Sequence, residues 1–494
     1  MRGLSRVVSE VLLATIVLAS TVAVYHVLSP NLNPNIVALA VENFNVLDGS
    51  ICLTVQNYGS AVVEKVSVVE VLADDGVNLL GNRLSFAGNP ATVSIKPGQS
   101  NVLKFTVSRP IFFPNVVDPN VDVNLHPLGT SVQRKTFYAN GFFYVFYVDS
   151  AGRLVYRVSG DGVVWSQAYT VKAPAYSGDT FSVFYQNGKV HVAYSSGQKR
   201  DPVEYVMGVL GENGIISWGS WQTVLAGANK GYSSVVVAVD SDDRPWIACL
   251  GPSGVTVAKS SRGDGVWSMS EGFPKTVNSN PSPNTQVTLV KLSGGKMYVA
   301  WYAPSSKLAG RLWNGIEFEG EEDIAHNVPV AKVTLSATSY VDRVYVAYTQ
   351  YSRENIVYCA VRENGVWLQP EKVVENISPP TYLATTVAED GGLHVFWTTF
   401  SSGRFQLGSR FRTASGEWCG TEFLAEEQST EIMFVSSSYS DLGGEVPVAY
   451  VQGNSLMFQH LMKPVNLREA RLCEITLKVE SSSSSSLVKV KVRG

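Results

Sequence analysis

Val145-Phe-Tyr147, Val192-Ala-Tyr194, Ile247-Ala-Cys249, Val299-Ala-Trp301, Val346-Ala-Tyr348, Val395-Phe-Trp397 and Val448-Ala-Tyr450 are seven versions of one apolar triplet. Their third residues lie 47, 55, 52, 47, 49 and 53 positions apart. A period near fifty marks a repeat architecture in which each unit is one supersecondary module. Most triplets also share a context. A strand precedes, then a tight turn such as Gln186-Asn-Gly-Lys189, Asp240-Ser-Asp-Asp-Arg244, Ser293-Gly-Gly-Lys296 or Asp390-Gly-Gly392. After the triplet come a third strand, a turn carrying Gly and Trp, and a fourth strand. Four antiparallel strands per unit make a propeller blade, and closing the units into a ring shields the sheet edges. Solenoid units of this length are usually helical, and no helical period runs through these. The repeat predicts a β-propeller over 131–465, seven-bladed, with six blades as the alternative if the last unit is incomplete.

Working outward, 494 residues exceed what one hydrophobic core serves, so further domains are expected. The composition, 45% hydrophobic and 16% charged, suits a packed, mainly β protein and not a disordered one. A net charge of -3 supplies no basic face, which excludes nucleic acid as a partner on electrostatic grounds. The five cysteines, Cys52, Cys249, Cys359, Cys419 and Cys473, never fall within four residues of one another, so neither a CxxC redox pair nor a zinc knuckle is available. They read as small hydrophobes, with long-range disulfides left open and at least one thiol unpaired.

The chain opens MRGLSRVVSEVLLATIVLASTVAVYHVLSP, and from Val7 to Leu28 its only formal charge is Glu10. As a helix this run is about 33 Å long, enough to cross a hydrocarbon core. Arg2 and Arg6 precede it and no Lys or Arg follows until Lys65, which orients the N-terminus to the cytoplasm and the bulk of the chain outside. The segment Arg2-Gly3-Leu4-Ser5-Arg6-Val7-Val8-Ser9-Glu10 resembles the class III signal of archaeal type IV pilins and archaellin-like proteins. That resemblance implies cleavage between Gly3 and Leu4, with the helix retained as a membrane anchor or as the core of a filament. Glu10 would then be the seventh mature residue, two beyond the position bacterial pilins use, near the positive end of the helix dipole. A plain signal anchor and a cleaved secretory peptide are the alternatives.

Segment 31–112 alternates with period two in Ile36-Val-Ala-Leu-Ala-Val41, Ser50-Ile-Cys-Leu-Thr-Val55, Lys65-Val-Ser-Val-Val-Glu-Val71 and Asn101-Val-Leu-Lys-Phe-Thr-Val107. Half-buried antiparallel strands follow, and with them a small Ig-like β-sandwich. The pieces Val55-Gln-Asn-Tyr-Gly-Ser60 and Ile95-Lys-Pro-Gly-Gln-Ser100 resemble the turns of Ig-like modules in archaeal pilins. Residues 1–30 are thus the signal and helix, and 113–130 a linker. The tail 466–494 holds two strands around six serines, Ser481 to Ser486, where flexibility is expected. It either docks on the propeller or returns a strand to the sandwich.

Ser159-Gly-Asp161-Gly162-Val-Val-Trp165 resembles the Asp-box of sialidase-like propellers, in which Asp and Gly shape the turn and Trp packs between strands. Weaker echoes are Gly263-Asp-Gly-Val-Trp267, Glu363-Asn-Gly-Val-Trp367, Trp313-Asn-Gly315 and Ser415-Gly-Glu-Trp418. In that family the boxes are structural and stand away from the active site. A sialidase also needs three convergent arginines, a Tyr/Glu pair and an acidic donor. Arg134, Arg157, Arg244, Arg311, Arg343, Arg404, Arg410 and Arg412 are available, but no Arg-Ile-Pro motif introduces the first blade. No catalytic residue is assigned.

No metal site or cofactor is predicted either. The six histidines contain no HExxH, and His191 and His394 each stand directly before a triplet, a structural place. Asp240-Ser-Asp-Asp243 lacks the Gly and distal Glu of an EF-hand and reads as a solvated turn. Trp301 and Trp397 belong to blade packing. Asn376-Ile-Ser378 is a glycosylation sequon. The function expected is a pilin-like, membrane-anchored surface protein presenting a propeller for adhesion or ligand binding, with glycans or surface proteins as partners besides membrane lipid and other pilin-like subunits. A cell-surface glycoside hydrolase and a minor or capping pilin are the alternatives.

Overall fold

The computed structural model describes residues 22–24 and 36–492, apart from 48–49, 74–84, 88, 109–113, 283–284, 305, 329–333, 351–354, 380 and 463–471. Among them, helix is confined to two single 3-10 turns, Val123–Leu125 and Gly178–Thr180. The chain forms two compact units, one from Met1–Ile111 with Met462–Gly494, the other from Phe112–Leu461.

The larger unit contains seven antiparallel sheets. Blade 1 runs Thr136–Ala139, Phe142–Val148, Leu154–Ser159 and Tyr169–Lys172, hydrogen-bonded in sequence order. Blades 2 to 6 repeat this over 181–225, 233–278, 287–325, 335–375 and 383–427. Blade 7 takes three strands from Ile432–Ser437, Glu445–Gln452 and Ser455–Met462, and its fourth from Asn115–Asp118, with Phe458 opposite Asn115 and Leu456 opposite Asp118. The first strands of blades 2 to 7 follow one another round an axis, and that of blade 7 meets blade 1. The last unit is therefore finished from the front of the chain, and the blades number seven. This corrects the linker expected over 113–130. Four residues, Asn-Val-Val-Asp, are too short to show a period, and only ring closure gives them a partner.

The third residues of the seven triplets, Trp301 and Trp397 included, are at most 3% exposed. Sheets stacked on both faces leave no polar side to these central strands, so they read as continuous apolar runs. Burying each large side chain is worth roughly 1.5–3 kcal/mol.

The smaller unit is a two-sheet sandwich. One sheet has the order Val22–Val24, Ser485–Val492, Leu472–Glu480, Val63–Ala73, Ala91–Ile95; the other runs Leu39–Leu47, Ser50–Asn57, Ser100–Ser108, Ser85–Ala87. Both ends of the chain build it, and the propeller is inserted between Ser108 and Leu472. The tail is thus part of the sandwich, not a separate segment. The serine tract is ordered: Ser481 N donates to Ser484 O at 2.8 Å, and Ser486 Oγ donates to Val37 O at 3.1 Å. The hydroxyls supply the turn with bonds that a flexible linker would leave to water. The helix expected over 7–28, with Gly3, Leu4 and Glu10, lies outside the described residues except for Val22–Val24, which pair as an edge strand with Val490–Val492. No helix among the described residues is long and apolar enough to cross a membrane.

One side chain pins the sandwich turns together. Asn57 is fully buried, and its Nδ2 donates to Ala61 O and Ile95 O, each at 2.8 Å, while Oδ1 accepts from Gly59 N at 2.9 Å. A Cβ on Gly59 would stand 2.2 Å from Ile36 O, so the chain passes there only as glycine. Asn57→Ala leaves two buried carbonyls without donors and should cost about 2 kcal/mol. Urea unfolding of the intact chain measures it, and an unshifted sandwich transition contradicts the role.

Blade 2 carries a pH-sensitive group. Burial pushes the His191 imidazole down to about 3; its Nδ1 lies 2.7 Å from the Tyr205 hydroxyl and Nε2 has no partner. The folded state therefore holds His191 neutral while the unfolded chain protonates it below about 6.5. Its stabilisation is complete above that pH and is lost as pH falls toward 3. The stability margin of the native chain over His191→Gln should shrink by roughly 1.4 kcal/mol per pH unit across that window. A margin independent of pH would show that the imidazole is not held neutral.

Candidate functional site

The blades meet along seams, and six of the seven seams use the turn between third and fourth strands. In blade 1 that turn is Ser159–Trp165. Asp161 Oδ1 accepts from Val163 N at 2.8 Å, Val164 N at 2.9 Å and Ser159 Oγ at 2.9 Å, and these bonds hold the Asp161 carboxyl below its ordinary value. Gly162 takes a positive φ of 73°, with its N donating to Ser159 Oγ. Trp165, thrown out by the turn, meets Phe458 of blade 7 edge-on at 4.8 Å. The same geometry recurs round the ring. Trp218 packs on Tyr156, Trp267 on Tyr205, Trp313 on Trp246 and Trp367 on Tyr298, each on the preceding blade. Trp418 donates to Glu371 of blade 5 at 2.8 Å. Blade 7 has no such turn because its fourth strand comes from elsewhere.

The arginines are spent mostly on these seams. Arg412 binds Glu371 through two bonds of 2.7 Å, and Arg157 Nη2 reaches Asp118 at 3.3 Å on the closing strand. Arg410 donates to Val373 O of blade 5, while Arg404 with Glu426 and Arg244 with Asp242 pair inside their own blades. Arg134 crosses the axis instead. Its Nη1 donates to Ser336 Oγ at 3.2 Å and its Nη2 to Thr385 Oγ1 at 3.0 Å, tying blades 5 and 6 to the strand entering blade 1. Burial brings this guanidinium down to about 10. Further along the axis Tyr439 packs on Phe184 at 5.0 Å and accepts from Lys291 N at 3.2 Å. A guanidinium and a phenol thus stand across the ring centre, and an open space lies away from it.

That space is a cavity of about 770 Å³ at the hairpin-turn end of blades 4 to 6. Its walls are the first hairpins (Leu292 and Lys296; Tyr340 to Arg343; Asp390) and the third-to-fourth turns (Glu319; Arg362 to Gly365; Ala414). Glu322 is its fixed point. It accepts from Arg362 at 2.8 and 2.7 Å, from Trp367 Nε1 at 2.8 Å and from the Tyr298 hydroxyl at 3.0 Å. The Glu322 carboxylate beside it raises Arg362 further above its ordinary value. Arg343 is bonded to Glu363 and donates to Ala414 O at 3.3 Å. Burial pushes the Asp342 carboxyl up, but the Ser293 hydroxyl and amide and Lys296 outweigh it and leave it below its ordinary value. Val341, between Tyr340 and Asp342, has φ +53° and is 61% exposed. A β-branched residue seldom adopts that backbone, and here it sets an isopropyl group at the cavity lip.

A second constellation lies at the other end of the blades, beside the second-to-third strand loops. His126 Nδ1 is 2.7 Å from Asp179 Oδ2, and that bond raises the imidazole above its ordinary value against the effect of burial. His126 (φ +46°), Tyr176 (φ +64°) and Phe434 (φ +53°) all hold left-handed backbone, and the His126 and Phe434 rings are 5.1 Å apart. A Cβ on Gly178 would stand 1.9 Å from His126 O, so backbone packs directly on backbone there.

Sequence reasoning reached neither constellation as a site. His126 and Asp179 are 53 residues apart, and the cavity assembles side chains from three blades. The one usable signal was the repeat itself, which places all hairpin turns at one end. The predicted residues fall elsewhere: Ser159, Asp161, Gly162 and Trp165 on the seam between blades 7 and 1, Asn376 exposed in the turn after blade 5. Asp240 Oδ1 accepts from Asp242 N and Arg244 N, and Oδ2 from Trp246 Nε1, so that acidic turn binds itself. No three metal-ligating side chains gather among the described residues. No disulfide joins the cysteines; Cys249 and Cys359 are buried, and burial pushes the Cys249 thiol up to about 12.

No family model and no curated protein matches the chain. Among solved structures it is similar to a polysaccharide lyase of family PL25, an ulvan lyase bound to a glucuronic acid–sulfated rhamnose disaccharide unit. The TM-score is 0.52 at 9% identity, covering 72% of this chain and 98% of that one. It also resembles AofleA from Arthrobotrys oligospora (TM-score 0.44, 15% identity, 63% and 93% covered) and the fucose-specific lectin from Aleuria aurantia (0.41, 16%, 62% and 99%). The first likeness establishes a shared β-propeller fold and nothing further.

The Arg362–Glu322 pair is the joint on which the cavity stands. Arg362→Met, which strands a partly buried carboxylate, should destabilise the chain by about 3 kcal/mol, and adding Glu322→Gln should restore part of that loss. Thermal unfolding of the two variants decides it. Strict additivity would mean that the pair is not coupled.

Proposed function

We propose that this chain is a cell-surface protein whose propeller recognises carbohydrate in the cavity between blades 4 and 6. The carrying observation is the cavity itself: about 770 Å³, the size of a small-ligand site, with carboxylates and guanidinia locked in fixed pairs beside Tyr340. Pre-aimed planar acceptors and donors suit the hydroxyl pairs of a sugar, and an aromatic edge with an exposed Val341 suits its C–H face. The similar ulvan lyase, bound to its sugar chain, agrees with this reading.

Binding is favoured over hydrolysis. A glycosidase needs one carboxyl kept protonated. In this lining Glu322 spends both oxygens accepting hydrogen bonds, and Asp342 lies below its ordinary value. An N-terminal segment ahead of Val22, cut between Gly3 and Leu4 in the manner of a pilin, would anchor the chain at the outer surface of the membrane.

A glycan array probed with the purified chain should show bound carbohydrate, and Tyr340→Ala should weaken that binding by about tenfold or more with folding unchanged. A silent array, or full binding by the variant, overturns the reading. Mass spectrometry of the native protein should find Leu4 as the first residue. A start near residue 24 removes the pilin route.

A further inference from the structure

The repeat itself shows what a tight first hairpin asks for. In blade 1 the two loop residues are Asn140 and Gly141, between the paired Ala139 and Phe142, at φ +51° and +82°. In blade 2 they are Asn187 and Gly188, between Gln186 and Lys189, at φ +50° and +76°. Asn-Gly tolerates left-handed backbone at both positions, which is why two-residue hairpins favour it. Blade 5 closes in the same way between Tyr340 and Arg343, but its loop residues are Val341 and Asp342, with Val341 at φ +53°. The other turn that blade 5 gives to the cavity wall keeps Asn364-Gly365, at φ +51° and +83°. A β-branched side chain crowds the backbone in that region, so valine there costs folding stability. Burial does not offset that cost, since Val341 is 61% exposed.

The residues around Val341 are held from both sides. Asp342 accepts from Ser293 N at 3.1 Å and from Ser293 Oγ at 2.8 Å, both in blade 4. Arg343 donates to Ala414 O of blade 6 at 3.3 Å. The Tyr340 ring rests on the backbone of Gly391 of blade 6, where a Cβ would stand 2.8 Å from Tyr340 Cδ1, and Gly391 O accepts from the Tyr345 hydroxyl at 2.7 Å. Val341 is thus a stiff apolar tip on a hairpin that its neighbours hold still, and a contact arranged in advance loses little entropy on binding. Resting on the carbohydrate reading, we infer that Val341 is a specificity-determining residue of this cavity, kept against the preference of the turn because its isopropyl group grips the C–H face of the bound sugar. The paired carboxylates and guanidinia of the wall address hydroxyls; the tip addresses the part of a pyranose that makes no hydrogen bonds.

Thermal unfolding and isothermal titration of the intact chain test this, with neutral hexamers of glucose, galactose, mannose and N-acetylglucosamine as probes. Val341→Asn restores the turn residue of blades 1 and 2 and should raise the melting temperature by roughly 1 to 4 °C. The same variant should bind about fivefold more weakly to whichever hexamer the native chain takes, with a less negative heat-capacity change because less apolar surface is covered. Val341→Ile keeps a branched aliphatic tip and should hold the native affinity to within about twofold. If Val341→Asn binds as tightly as the native chain or melts no higher, or if Val341→Ile loses as much affinity as Val341→Asn, the role of Val341 is overturned while the carbohydrate reading stands. Failure of the native chain to bind any of the four hexamers overturns both.

Discussion

A ring of sheets leaves only short, protected edges once its last sheet is complete, and in this propeller a strand from the front of the ring completes it. Here Asn115–Asp118 pairs with Ser455–Met462, and the propeller depends on that four-residue contact. The joint is reinforced by charge. The Tyr147 hydroxyl donates to Asp118 at 2.6 Å, and Arg157 bonds both that hydroxyl and Asp118, so the closing strand is fastened to blade 1 as well as to blade 7. Without it, blade 7 would present the unpaired backbone of an edge strand to water or to another chain.

The seams show why one turn motif recurs with uneven fidelity. What must be preserved is an indole thrown onto the preceding blade; how the turn achieves it is free to vary. Asp161, Asp264 and the side-chain carbonyls of Asn213 and Asn314 each accept from a backbone amide two residues on, the same local bond made by different residues. Where the indole meets a carboxylate, as at Glu322 and Glu371, an arginine joins it and the seam becomes an ion-paired one. Those two neighbouring seams, between blades 4 and 5 and between 5 and 6, flank the cavity. A cleft between blades is thus given polar walls by the same groups that hold the blades together.

The insertion of the propeller into the sandwich couples the chain ends. Leu472–Glu480 sits between two other strands of its sheet and pairs along eight positions with Val63–Ala73, so the sandwich is incomplete until that strand is in place. The ring and the sandwich follow the same rule, that an early strand waits for a partner made several hundred residues later.

From the sequence alone, the triplets marked out the blades in order and pointed to seven with six left open, because a side chain buried between stacked sheets must be apolar wherever it recurs. The alternating runs of 36–107 likewise announced a sandwich. The same local logic identified Trp301 and Trp397 as packing residues and Ser159–Trp165 as a turn. Three things had no local signature. The closing strand is too short to have a period, the C-terminal strands carry nothing that names their partner, and the cavity draws its residues from turns about fifty positions apart. His126 and Asp179 meet for the same reason, through loops whose glycines allow backbone contact. Periodicity records what each segment buries; which segments share a seam, and so which charges face one another, is set only when the ring closes.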